Sequence, residues 1–130
     1  MRHKNTLCTA SALLLAATSL WAHHSPSAEF DMNKRITVSG MLTKVDWINP
    51  HIVLGMDVKN ESGKVENWVF ESNPPAWFRR VGVNRSDLAK ALGQMVTAEG
   101  VRSKDGSPFG YMQKITLADG TSLELANSIK

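Results

Sequence analysis

Three histidines carry the sharpest chemistry in this sequence. His23 and His24 follow Ala22 directly, and His51 follows the Asn49-Pro50 pair. With a chain cut after Ala22, His23 becomes the first residue, and its terminal amine and imidazole nitrogen form the chelate of a copper brace. His24 adds a second imidazole beside the same amine. Nitrogen ligands in tetragonal geometry suit Cu(II), and copper leads the divalent affinity series. His51 completes such a set as a third ligand when the chain start folds back onto the turn that carries it. The bland alternative leaves His23 and His24 solvated on a free chain start, with His51 capping a turn.

Other reaction chemistries find little purchase. Cys8 is the single cysteine and lies in the first segment; without it there is no thiol nucleophile, no internal disulfide and no Cys-based zinc site. Ser25 beside His24 is adjacency rather than a triad, and no Gly-x-Ser-x-Gly elbow supports it. Asp105 and Asp119 each precede glycine, where turn geometry explains them. His51 lacks the neighbouring histidine or cysteine pairs of a zinc site. The sequence therefore assigns no catalytic residue and favours a binding or accessory module over an enzyme. A copper-dependent redox enzyme is the weaker reading, because nothing marks a substrate surface. A metal-independent rival uses an aromatic ligand face of Trp47, Trp68 and Tyr111, with Arg79 and Arg80 as anion partners, to hold a peptide, glycan or partner protein. In that rival's bland version, Trp68 and Tyr111 fill the core.

The elements that must position these groups begin with a leader. Met1-Arg2-His3-Lys4 is basic, Ala10 to Ala17 is dominated by apolar residues, and Ser19-Leu20-Trp21-Ala22 offers small residues for cleavage. Those are the three parts of a secretory signal peptide, whose apolar run of about 7–15 residues is shorter than the roughly 20 needed to span a bilayer. Cleavage after Ala22 is favoured over cleavage after Ser19, so residues 1–22 form the signal and 23–130 a single domain that is periplasmic or secreted, with no stable membrane anchor. The full chain has 15 Lys and Arg against 12 Asp and Glu, a net charge of +3. Removing residues 1–22 takes Arg2 and Lys4 and no acid, leaving 13 basic against 12 acidic groups. That near-neutral balance, together with export, gives no reason to expect a nucleic-acid partner.

The domain reads as mainly β. An extended lead over 23–34 precedes a long strand in which Ile36, Val38, Gly40 and Leu42 share one face, while Val45 and Trp47 continue on the opposite parity. That switch predicts a bulge or bend between Gly40 and Lys44. Ile52, Leu54, Met56 and Val58 mark the inner face of a second strand over 51–59, Asn60 to Gly63 a hairpin loop, and Val65 to Glu71 a third strand. Short helices are predicted over 76–82 and 86–93, the second capped by Ser86 and stopped by Gly93. Strands over 94–101, 111–117 and 121–125 complete the chain. Three strands, a helical insert and further strands match a small OB-like antiparallel β-barrel with the insert between strands 3 and 4.

The residues Ala22-His23-His24-Ser25, Ala28-Glu29-Phe30-Asp31 and Val45-Asp46-Trp47-Ile48-Asn49-Pro50-His51 resemble the domain of unknown function 6152 family, small exported bacterial proteins. The resemblance continues through Trp68-Val69-Phe70-Glu71, Arg79-Arg80-Val81-Gly82, Val96 to Gly100, Lys104-Asp105-Gly106 and Leu117 to Gly120. It implies export and a compact β-rich domain. It implies no reaction, substrate or cofactor.

Overall fold

The computed structural model describes residues 25–125. A helical turn, α1 (Pro26–Glu29), leads into a 17-residue strand β1 (Phe30–Asp46), followed by β2 (Val53–Lys59) and β3 (Val65–Glu71). Two short helices, α2 (Pro75–Arg80) and α3 (Arg85–Ala89), precede β4 (Met95–Ser103), β5 (Phe109–Thr116) and β6 (Ser122–Glu124).

β1 is the spine, pairing antiparallel with β2 through its second half and with β4 through its first. β2 pairs with β3, and β4 with β5, also antiparallel. The expectation of an antiparallel barrel needs one correction: β3 and β5 run parallel, with Val69, Phe70 and Glu71 beside Phe109, Gly110 and Tyr111. That pairing closes five strands into a mixed barrel, and β6 adds to the free flank of β5. The arrangement is consistent with the OB type, with both helices between β3 and β4 as expected.

The bulge falls where the parity switch predicts it. Leu42 faces Met56 while Lys44 faces Gly55, so Thr43 is the extra residue that returns Val45 to the inner face opposite Leu54. One strand thereby serves two sides of the barrel, since a bulge bends the chain and strengthens its twist. The alternating residues Ile52, Leu54, Met56 and Val58 all lie buried, as do Leu42, Phe70, Val96, Ala98, Met112 and Ile115. Phe78 and Leu88 bring α2 and α3 onto this core. A second, smaller cluster of Phe30, Val101 and Tyr111, with Met32 and Phe109 against it, is built where the chain start packs on β5.

Two local expectations are corrected. The segment expected as a lead carries α1 and the first residues of β1, with Phe30 opposite Ser103 and Asp31 opposite Arg102. Its sequence hides this because Asp31, Asn33 and Lys34 interrupt the alternation by which a strand is read. α3 is capped by Asn84 rather than Ser86: the Asp87 carboxylate accepts the Asn84 backbone N–H at 2.7 Å. An acidic residue three positions after the cap satisfies a helix-start donor that otherwise has no partner.

Candidate functional site

The end of β3 gathers polar side chains from three parts of the chain. Ile52 N–H bonds to Asn73 O, and Ser72 N–H bonds back to Ile52 O, which laces the entry to β2 onto the exit from β3. His51 is thereby set beside Glu71, with its Nδ1 3.1 Å from the carboxylate Oε2. Both side chains are partly exposed, 36% for His51 and 28% for Glu71. A polar contact so open to water contributes little stability; its consequence is orientation. A ring held through Nδ1 offers Nε2 as its free nitrogen, the arrangement by which a carboxylate commonly orients a metal-binding histidine.

Parallel pairing brings Tyr111 opposite Glu71. The Tyr111 hydroxyl donates to Asn73 Oδ1 at 2.7 Å, and Asn73 Nδ2 donates to Leu125 O at 3.1 Å. Burial pushes the Tyr111 phenol up to about 12, and the Glu71 charge adds to the shift. The hydroxyl therefore stays protonated and serves as a fixed donor. The Tyr111 ring lies 5.7 Å from Phe30, so the first residue of β1 packs beside this corner. Lys104 Nζ donates to Ser27 O and Ala28 O at 2.7 and 3.3 Å, which ties α1 to the β4–β5 turn.

His23 and His24 lie outside the described residues, as does the expected signal segment. Among the described residues, no three His, Cys, Asp or Glu side chains converge as a metal-holding group, so a three-nitrogen set at His51 requires the two histidines upstream. No helix among them is long and apolar enough to cross a membrane.

The residues expected to share an aromatic face are placed apart. Trp68 is 6% exposed and points inward, stacked on Phe70 at 5.6 Å. Glu66 accepts its indole N–H, and the Arg102 guanidinium covers its ring at 5.3 Å. Tyr111 is buried in the other cluster. Trp47 is partly buried and meets Phe78 edge-on at 5.5 Å. Arg79 and Arg80 are exposed at the end of α2. Of the five, Trp47 reaches α2 through Phe78, the residue before Arg79 and Arg80, while Trp68 obeys the inward parity of β3 and Tyr111 packs on Phe30.

Asp105 and Asp119 are turn acceptors. Asp105 Oδ1 accepts from Ser107 Oγ, Ser107 N–H and Ser103 Oγ at 2.7, 2.9 and 2.7 Å, which holds its carboxyl down at about 2. Asp119 accepts the Thr121 N–H at 2.8 Å and is lowered by the same bond.

The sequence singles out His51 but not its partner Glu71, nor Asn73. Their partnership depends on the β2–β3 register and on the parallel closure, and no local pattern encodes either. A small mixed barrel with a histidine–carboxylate corner at one strand end is thus the class of molecule that fold and site define. The match to the family model described as "Family of unknown function (DUF6152)" runs over residues 12–113, and the chain belongs to that family. No curated protein matches it.

Proposed function

We propose that this protein is an exported binding module that captures Cu(II) with His23 and His24 at its mature start, and with His51 as third ligand. The observation that carries the reading is the bond between Glu71 and His51 Nδ1, which leaves Nε2 for the metal. The fold also supports it: Phe30 packs on Tyr111, and Tyr111 pairs with Glu71. Cu(II) held there would supply a divalent cation that favours nitrogen ligands. The chain supplies two imidazoles and an amine at its start, a ring oriented by a carboxylate, and a rigid barrel beneath it.

The test is a Cu(II) titration of the exported protein after its intact mass has fixed the first residue. Glu71→Gln should weaken binding about 10–100-fold, the range for removing an orienting partner, and His51→Ala, which removes a ligand, by at least as much. A mature chain that begins upstream of His23, or affinities equal to that of the unaltered protein, would overturn the reading.

The second reading is metal-independent capture of a peptide, glycan or protein by Trp47 with Arg79 and Arg80. It is favoured by the exposure of Ile48 (53%), next to Trp47 in the chain, and of Val81 (46%), next to Arg80. Trp47→Ala should then abolish capture while the barrel stays folded.

A further inference from the structure

Methionines in this barrel divide sharply by environment. Met56 and Met112 are fully buried, and Met32 packs against the Phe30 cluster. Met41 and Met95 are 44% and 57% exposed. These two are direct cross-strand partners, Met41 on β1 facing Met95 on β4. Opposed residues of an antiparallel pair project to the same face with Cβ atoms roughly 4.5–5.5 Å apart. Their neighbours Gly40 and Val96, also paired, are buried, so the methionine pair projects outward.

On its other side Met41 pairs with Asp57, which gives the row Asp57, Met41, Met95 across three strands. Asp57 Oδ1 accepts from Asn67 Nδ2 at 2.6 Å and is held in place. A groove of about 400 Å³ runs along this row, with Val65 and Lys59 also lining it. Each methionine has three rotatable bonds ending in a polarizable sulfur. With Cβ atoms this close, both thioethers can meet one ion between them without backbone movement. Soft thioethers select Cu(I) over harder divalent cations. Asp57 and Lys59 offset one another in charge, so selectivity here comes from sulfur.

We propose that Met41 and Met95 form a thioether site for a soft monovalent cation, Cu(I) or Ag(I), on the outer face of β1 and β4. It is independent of the histidine site, shares no ligand with it and does not rest on it.

The test is methyl NMR of the full mature protein carrying 13C-labelled methionine, titrated with Ag(I). Met41 and Met95 methyl resonances should move together and saturate at one equivalent, while those of Met56 and Met112 stay fixed. The double variant Met41→Leu, Met95→Leu, which conserves volume, should lose at least tenfold in Ag(I) affinity with its thermal midpoint unchanged. A variant lacking His23, His24 and His51 should keep the site. Methionine methyls that ignore Ag(I), wild-type affinity in the leucine variant, or loss of the methyl shifts in the histidine variant would each overturn the proposal.

Discussion

At the scale of single residues, Tyr111 shows how far a side chain's role depends on its partners. Its ring packs on Phe30 while its hydroxyl bonds to Asn73. Tyr111→Phe removes only that bond and should cost about 1 kcal/mol, read from the denaturation midpoint. The same variant has a pH signature. Burial, with the Glu71 charge, pushes the folded phenol up to about 12 from its ordinary 10.0, so folding favours its protonated form. That contribution is fully present below pH 10 and is lost as pH rises through 12. Wild type should therefore lose stability across that window, and Tyr111→Phe should lose less. Asp105 acts at the opposite extreme. Its carboxyl is lowered from 3.8 to about 2, so its contribution is present above pH 3.8 and is lost as pH falls through 2. Asp105→Asn should flatten acid unfolding over that range. The sequence marks both aspartates as turn residues because an Asp-Gly pair carries its own geometry. It lists Trp68 and Tyr111 as ligand candidates because an aromatic looks the same in a sequence whether it faces inward or out. Trp68→Ala should cost about 3–5 kcal/mol in the denaturation midpoint, as a buried tryptophan does.

Among elements, what was legible follows from local chemistry. The second strand's alternation, the Asn60–Gly63 hairpin and the bulge near Thr43 are all encoded within a few residues. Strand partners are not encoded that way. The parallel pairing of β3 with β5 depends on how far the barrel curls, and the early start of β1 depends on Ser103 and Arg102 more than seventy positions away. Glycine at position 100 is a visible trace of such pairing: a Cβ there would collide with the Tyr111 carbonyl, beside the register shift between β4 and β5. Gly100→Ala should therefore destabilise by about 1–3 kcal/mol, the cost of over-packing. A thermal midpoint equal to wild type would show that this close approach is not required.

The whole molecule places its features on different parts of one barrel. The histidine–carboxylate corner closes the end of β3, the methionine row crosses β1 and β4, and Trp47 with Arg79 and Arg80 edges the helical insert. The first bears most on function, because the Glu71 carboxylate fixes the orientation of His51. The sequence shows the three histidines but does not single out the carboxylate: the β2–β3 register sets Glu71 beside His51, and closure of the barrel sets it beside Tyr111. The most direct measurement is a Cu(II) titration of the protein beginning at His23, followed by electron paramagnetic resonance, with and without His23→Ala and His24→Ala. Capture by the proposed histidine set predicts one Cu(II) per chain with a tetragonal, nitrogen-rich signal that the double variant loses. Equal stoichiometry and an unchanged spectrum in that variant would contradict it.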